Sequence, residues 1–346
     1  MLVARFYAPG DIRLEEAPEP SPGPGQVKIA VVNCSTCGTD VKISRHGHHH
    51  IRPPRVIGHE IAGRITEVGS DVTGWAEGDR VQVIAAIPCG SCAECADGRF
   101  TVCSRQESMG YHYDGGFAEY MIVPEAVLAV NGLNRVPDDI DLAEASVAEP
   151  LACVLNGQEI AGVGDGDTVV VMGAGPIGCL HVRLARARGA ARVFLIDLNR
   201  GRLDMSARLV EPDAVLCGEE VDAVAEVLRL TGERGADVVI TATASGKAQE
   251  DALRMVARSG RISFFGGLPK DAPIIQLDAN AVHYREVSIF GANGSSPGHN
   301  RRALELISTG DVPVADLITE RMALSEVHKA IETVAAGTAV KVTIQP

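Results

Sequence analysis

The stretch Thr168 to Gly178, TVVVMGAGPIG, decides how the second half of the chain folds. Its first five residues predict a buried strand. Gly173, Gly175 and Gly178 follow with the spacing G-x-G-x-x-G, ahead of a helical pattern. The first glycine permits a tight turn, the second lets the backbone approach a pyrophosphate, and the third lets helix and strand pack closely. The stretch therefore predicts a phosphate-binding turn.

Pro176 and Ile177 open the predicted helix, where backbone N–H groups face the phosphates and a proline loses nothing. The next predicted strand ends at Asp197, about 20 residues further on, where a carboxylate would bind ribose hydroxyls and repel a 2′-phosphate. This pattern favours NAD over NADP, with Arg202 as a further cofactor contact. Two alternatives stay open. Arg200 and Arg202 would suit NADP, and a glycine turn also occurs in α/β domains without a ligand.

The change in sequence pattern along the chain predicts two domains within 346 residues. Short β-rich runs at 26–33, 60–68 and 80–85 lie among Pro and Gly turns before residue 150. From Asp167 onwards apolar strands alternate with helical patterns, which predicts an α/β fold with a parallel sheet wound on both faces. Helical patterns near 298–308 and 325–335 and a closing strand suggest that the tail returns to the first domain.

A formal net charge of −13 argues against nucleic acid as a partner, because Lys and Arg must neutralise the phosphates. The first 16 residues show no basic region followed by an apolar run, so we expect no export signal, and no apolar run reaches the roughly 18 residues of a membrane span. We therefore expect a soluble, cytoplasmic protein without membrane or nucleic-acid partners.

Cys89, Cys92, Cys95 and Cys103 form a short cluster with the spacing C-x2-C-x2-C-x7-C. Tetrahedral zinc takes four thiolates at such spacings, and an iron–sulfur cluster is the competing ligand. Four thiolates leave no open coordination position. The cluster predicts a structural zinc lobe over residues 88–103, so any chemistry lies elsewhere.

A second set of candidate ligands is scattered through three segments: CGTD with Cys37 and Thr39, GHE with His59 and Glu60, and EPL with Glu149. Sulfur, nitrogen and carboxylate ligands that leave a fourth position open suit a catalytic zinc. Spacing alone does not pair these segments.

The order of the CGTD, GHE, four-cysteine, GGFAEY (115–120), EPL and GAGPIG motifs resembles the zinc-dependent medium-chain dehydrogenases, in particular their sorbitol and threonine dehydrogenase branch. The resemblance covers essentially the whole chain. It implies a GroES-like catalytic domain over 1–150, completed by 294–346, and a Rossmann NAD-binding domain over 151–293. It also implies a homo-oligomer, dimeric or tetrameric, and a small-molecule alcohol or ketone as substrate.

The resemblance assigns roles residue by residue. Cys37 and His59 become zinc ligands, Glu60 and Glu149 become carboxylates that bind zinc directly or through water, and the Thr39 hydroxyl begins a proton relay. With the structural lobe this makes two zinc ions per chain. Many relatives continue the relay through a histidine where this chain has Lys42, so the path beyond Thr39 stays open.

The implied reaction oxidises a secondary alcohol of a polyol or sugar to a ketone, with hydride transfer to NAD. The alternatives are an L-threonine 3-dehydrogenase-like activity, a sugar-phosphate dehydrogenase and a non-catalytic nucleotide-binding relative. The tract HGHHH at 46–50 suggests a metal tract or a tag remnant, but its place inside the chain, in a Pro-flanked loop near the presumed active-site mouth, favours a solvated loop, with His46 as a weaker substrate contact. Tyr111, His112 and Phe117 could line the pocket or simply pack.

Overall fold

A computed structural model describes residues 1–346, and the chain divides into two compact units. The first unit combines Met1–Ala152 with Gly294–Pro346, and the second unit is Cys153–Asn293. None of the helices is both long and apolar enough to cross a bilayer.

The strands are β1 (Leu2–Ala8), β2 (Asp11–Glu16), β3 (Val27–Ser35), β4 (Arg55–Val56), β5 (Glu60–Val68), β6 (Arg80–Val83), β7 (Ala86–Ile87), β8 (Glu107–Ser108), β9 (Tyr120–Val123), β10 (Leu133–Arg135), β11 (Thr168–Met172), β12 (Arg192–Asp197), β13 (Ala214–Cys217), β14 (Ala236–Thr241), β15 (Val256–Phe264), β16 (Ser288–Gly291), β17 (Ile318–Ala323) and β18 (Lys341–Gln345). The helices are α1 (Gly38–His46), α2 (Ala93–Ala96), α3 (Glu125–Ala129), α4 (Leu142–Ser146), α5 (Ala148–Ile160), α6 (Pro176–Ala187), α7 (Arg200–Val210), α8 (Ala223–Leu230), α9 (Gly246–Met255), α10 (Ala279–Arg285), α11 (Pro297–Ser308) and α12 (Val327–Ala336).

A seven-stranded sheet organises the first unit, in the order β10-β6-β5-β3-β18-β17, with β9 also paired to β3. Ser35, at the end of β3, lies opposite both Glu60 of β5 and Thr343 of β18. Three strands from distant parts of the sequence therefore meet at one point of the sheet, and the tail supplies one of them.

The core of the first unit lies against this sheet and is built from β-branched and aromatic side chains, among them Ile29, Ile61, Ile65 and Phe117, each at most 1% exposed. Gly58 sits at the turn into β5 with a φ of +89°. A Cβ atom at Gly58 would lie 2.6 Å from a ring carbon of Phe117 and 2.9 Å from the sulfur of Cys34. Only glycine therefore fits the turn that delivers the next two residues.

The second unit is a six-stranded parallel sheet in the order β13-β12-β11-β14-β15-β16. Its central strand, β11, has 0–7% exposure at the four residues after Thr168, as expected for a strand covered on both faces. The chain leaves β11 toward β12 on one side and later returns to β14 on the other, so the strand order reverses beside β11. The predicted fold class is confirmed.

Candidate active site and metal centres

The open donor set forms where β3, α1 and β5 meet. Cys37 is the residue that precedes the first turn of α1, and its N–H donates to Oδ2 of Asp40 at 2.8 Å. His59 and Glu60 follow Gly58 at the start of β5. The ligand atoms of Cys37, His59 and Glu60 all lie within 4.8 Å of one another. One sulfur, one nitrogen and one carboxylate oxygen thus converge on one point.

Asp40 lies behind His59 and is fully buried, with Oδ1 3.7 Å from the ring Nδ1. Burial by itself would lower the pKa of His59, but the charges of Asp40, Cys37 and Glu149 hold that pKa well above its usual value. Burial raises the pKa of Asp40, and His59 opposes the rise. A carboxylate beside an imidazole fixes the orientation of a metal-binding ring, which is the role the geometry gives Asp40.

Glu60 pairs with Lys341, which β18 brings in from the tail. The ammonium contacts Oε2 of Glu60 and donates to the carbonyl of Thr36 at 2.8 Å. Glu60 is 0% and Lys341 3% exposed. Burial raises the pKa of Glu60 to about 7, although the Lys341 ammonium opposes the rise.

The donor set fits a zinc ion with an open coordination position. Oε1 of Glu60, Nδ1 of His59 and Oδ1 of Asp40 are buried and have no hydrogen-bond partner. Buried polar atoms without partners are uncommon and call for an explanation such as a missing ion. Three mixed ligands are also the number that catalytic zinc sites use.

Glu149 and Thr39 lie at the edge of this set. Glu149, in the first turn of α5, is 7% exposed and falls outside the three atoms that converge. Its charge nevertheless acts on His59, Glu60 and Lys341. Burial and the nearby charges of Asp40, Cys37 and Glu149 raise the pKa of Tyr111, and the hydroxyl of Thr39 opposes the rise. Tyr111 therefore belongs to the wall of this site.

The four clustered cysteines form a separate donor set whose sulfurs also lie within 4.8 Å of one another. All are reduced. A backbone N–H of Ser91 lowers the pKa of Cys89 to about 5, while burial raises the pKa of Cys95 to about 12. A bound divalent ion deprotonates such thiols outright. The set fits tetrahedral zinc with no open position.

The glycine turn follows β11 in the second unit. Gly173 has a φ of +117°, and a Cβ atom at Gly178 would lie 1.8 Å from the Gly173 carbonyl oxygen, so both positions require glycine. Gly175 precedes α6, which begins at Pro176 and continues through Ile177. A Cβ at Gly175 would meet no atom within 4 Å, which leaves room for a phosphate above the helix start.

Asp197 lies at the end of β12 beside this turn. Its Oδ2 accepts from the N–H of Ala174 at 2.7 Å and its Oδ1 from Asn199 at 2.8 Å. Asp197 and Arg202 line a cavity of about 550 Å³ that also includes Gly173. Arg200 instead pairs with Glu220 and Asp204, so it is engaged elsewhere. The residues present fit a dinucleotide.

Asp40 and Lys341 are the site residues to which the sequence analysis gave no role. Asp40 stood in the CGTD motif without a function. Lys341 carried a signal of its own, because a lysine inside a closing apolar strand needs a buried counter-charge.

A parallel nucleotide-binding sheet, a closed four-sulfur set and an open mixed donor set together define a zinc-binding dehydrogenase. Two family profiles match the chain: "Alcohol dehydrogenase GroES-like domain" over residues 23–132 and "Zinc-binding dehydrogenase" over residues 176–309. The chain belongs to the zinc-dependent medium-chain dehydrogenase family, in its polyol and threonine dehydrogenase branch.

Individual relatives align with this chain over nearly their full length. Sorbitol dehydrogenase of Halalkalibacterium halodurans is 32% identical, over 100% of this chain and 98% of the relative. L-threonine 3-dehydrogenase of Pyrococcus furiosus is 33% identical, over 95% of this chain and 93% of the relative. A zinc-binding dehydrogenase of Sinorhizobium meliloti, solved with NADP, superposes with a TM-score of 0.93 at 31% identity, over 100% of this chain and 99% of that one. The predicted family is confirmed, and with it a zinc-containing, nicotinamide-dependent oxidoreductase acting on CH–OH groups.

Proposed function

We propose that the protein oxidises a secondary alcohol of a polyol or sugar to a ketone, with hydride transfer to NAD. The convergence of Cys37, His59 and Glu60 on one point carries the proposal, because a mixed set with an open position suits binding of an alcohol oxygen. Relatives named sorbitol dehydrogenase and D-xylulose reductase support the polyol class. Relatives named L-threonine 3-dehydrogenase keep an amino alcohol as the second candidate.

The side chains of the proposed zinc site have different roles. Cys37, His59 and Glu60 hold the zinc, and Glu149 acts from the first turn of α5 through its charge or as an alternative ligand. When bound, the zinc supplies a Lewis acid that lowers the pKa of an alcohol, and the nicotinamide supplies the hydride acceptor.

We assign proton transfer to Thr39. We propose that its hydroxyl, on the first turn of α1, accepts the proton of the substrate alcohol while passing its own proton on toward solvent. Lys42 lies on the same helix and is exposed to solvent. We assign Lys42 no part in the transfer.

The cofactor preference rests on Asp197. Its carboxylate lies beside the phosphate-binding turn in the second unit, and a negative charge there repels a 2′-phosphate. Arg202 lines the same cavity. We therefore propose NAD as the cofactor although one structural relative was solved with NADP.

We assign the first unit as the catalytic domain and the second as the NAD-binding domain. We also propose a cytoplasmic homo-oligomer, a dimer or tetramer, in which the edge strand β16 pairs with a second copy. The mass of the protein in solution, measured by light scattering, tests the oligomer.

The decisive experiment follows NAD reduction over a panel of polyols, sugars and amino alcohols, with and without a chelator. Cys37→Ser removes a proposed ligand, and Cys34→Ala, which removes a thiol outside the donor set, is the matched control. We expect oxidation of polyols that the chelator and Cys37→Ser abolish and Cys34→Ala retains. Activity that survives both treatments would refute the zinc chemistry, and activity confined to threonine would select the second candidate.

A further inference from the structure

A cationic segment of the chain lies beside the proposed active site. Residues 41–55 contain four lysines and arginines, four histidines and no acidic residue, in a protein whose formal net charge is −13. Neither the zinc sites nor the cofactor site uses this segment. We define the imidazole cluster as His48, His49, His50 and His112.

The four rings of the imidazole cluster contact one another. Ring centroids are 4.6 Å apart for His48 and His49, 4.0 Å for His49 and His50, and 5.1 Å for His50 and His112. His49 and His50 are exposed, and two rings of this tract contact the loop around residue 112: His48 contacts Tyr111 and His50 contacts His112.

In two rings of the cluster, a hydrogen bond defines which ring nitrogen carries the proton. Nδ1 of His112 accepts the N–H of Ser108 at 3.0 Å, and Nδ1 of His48 faces the N–H of His50 at 3.4 Å. A ring nitrogen that accepts a hydrogen bond carries no proton, so the proton of the neutral ring resides on Nε2. His48 and His112 therefore offer Nε2–H donors even when uncharged, and protonation leaves those donors in place.

The surrounding charges favour an anion over a cation. Arg52 is exposed and forms no ion pair, whereas Arg55 pairs with Asp114 at 3.0 Å. Burial and the nearby charges of His50, Arg55 and Arg52 lower the pKa of His112, although Glu107 opposes them. No three nitrogens of the cluster come within the 4.8 Å that the two zinc sets satisfy, which disfavours a metal.

Tyr111 links the cluster to the open donor set. Its ring lies 4.7 Å from that of His48, edge to face, and 6.1 Å from that of His59. The same tyrosine lies close enough to Thr39 for that hydroxyl to affect its pKa. One aromatic ring thus lies between the imidazole cluster and the open donor set.

We propose that the imidazole cluster and Arg52 bind an anionic group, a phosphate or a carboxylate, on the far end of the polyhydroxy substrate. This inference rests on the proposed function and narrows it from polyols in general to polyols that carry a negative charge. The cluster's N–H groups and the free guanidinium bind the anion's oxygens through charge-assisted hydrogen bonds.

The test compares NAD reduction with D-sorbitol, sorbitol 6-phosphate and D-gluconate in the zinc-loaded protein. We expect kcat/KM at least about ten-fold higher for one of the charged substrates than for sorbitol, since hydrogen bonds to charged groups are stronger than those to neutral groups. A preference for sorbitol 6-phosphate would identify the bound group as a phosphate, and a preference for gluconate would identify it as a carboxylate.

Two variants test whether the imidazole cluster and Arg52 cause the preference for a charged substrate. Arg52→Gln and His50→Gln should each raise KM for the preferred charged substrate about ten-fold with little change in kcat, and should leave sorbitol within two-fold, because only ground-state binding is lost. Arg45→Gln removes a positive charge from the same segment but outside the cluster and should change neither substrate. Since Arg52 and His50 are exposed, their replacement leaves the fold intact.

Calorimetric binding of sorbitol 6-phosphate and gluconate to the inactive Cys37→Ser protein gives a readout without turnover, and Arg52→Gln in that background should weaken it. Equal kcat/KM for charged and neutral polyols, or an equal loss in Arg45→Gln and Arg52→Gln, would overturn the anion site and leave the proposed function standing. Failure of every polyol, charged or neutral, to reduce NAD would instead refute the proposed function.

Discussion

Replacing Lys341 with methionine tests the buried ion pair on which the open donor set rests. Methionine has a similar length but no charge, so the substitution removes the ammonium that contacts Glu60 and donates to the Thr36 carbonyl. Both partners of the pair are at most 3% exposed. Breaking a buried pair by removing one partner costs about 3–5 kcal/mol, because the other charge stays buried without compensation.

For a unit of this size, a loss of about 3–5 kcal/mol lowers the melting temperature by about 6–20 °C. The assay is thermal unfolding of the metal-free protein at pH 8, followed by circular dichroism. Burial already raises the pKa of Glu60 to about 7 with Lys341 present. Without the ammonium that pKa rises further and the carboxyl group takes up a proton, so the loss should be smaller at pH 6 than at pH 8.

Two controls make the test specific. Lys329→Met removes an exposed ion pair with Glu326 and should cost less than about 1 kcal/mol. The double variant Lys341→Met, Glu60→Gln removes the stranded charge and should recover part of the stability. Equal melting temperatures for Lys341→Met and Lys329→Met, or no recovery in the double variant, would show that the pair does not stabilise the site.

Three further predictions follow from single residues. Gly58→Ala should cost about 3 kcal/mol in urea unfolding, since its Cβ overlaps Phe117 at a positive φ, while Gly38→Ala, which meets no atom, should be neutral. Burial lowers the pKa of His181 to about 3, below its unfolded value near 6.5, so its stabilisation is present above pH 6.5 and is lost as the pH falls. His181→Leu should therefore flatten the loss of stability between pH 6.5 and 4.5, by about 2–3 kcal/mol; an unchanged slope would disprove this. Asp197→Asn should lower kcat/KM for NAD about ten-fold and raise the NADP to NAD ratio, and a constant ratio would exclude a ribose contact.

Local patterns predicted most of the fold. The strand expected over 60–68 is β5, and the helix expected over 298–308 begins one residue earlier, at Pro297. The four-cysteine lobe was also visible, because its ligands lie close together in sequence and need no tertiary pairing. These features depend on side-chain periodicity or short spacing, which a sequence displays directly.

The open site was only partly predictable. Cys37 and Glu60 meet because Ser35 of β3 pairs with Glu60 of β5, and no local pattern reports that register. The resemblance to the dehydrogenase family indicated that the separate ligand motifs form one site. It did not indicate that Lys341 pairs with Glu60. The imidazole cluster was missed for a similar reason, since its fourth ring, His112, comes from a separate loop.

The split of the first unit has a consequence for biosynthesis. β18 lies between β3 and β17 in the interior of the sheet, yet it is translated after the whole of the second unit. While the ribosome is still adding the tail, the nucleotide-binding sheet is already complete and free to fold, whereas Cys34 and Ser35 of β3 still lack their partners in β18. The nascent first unit is thus open to wrong strand pairing until β18 has been made, and β18 also brings the buried ammonium of Lys341.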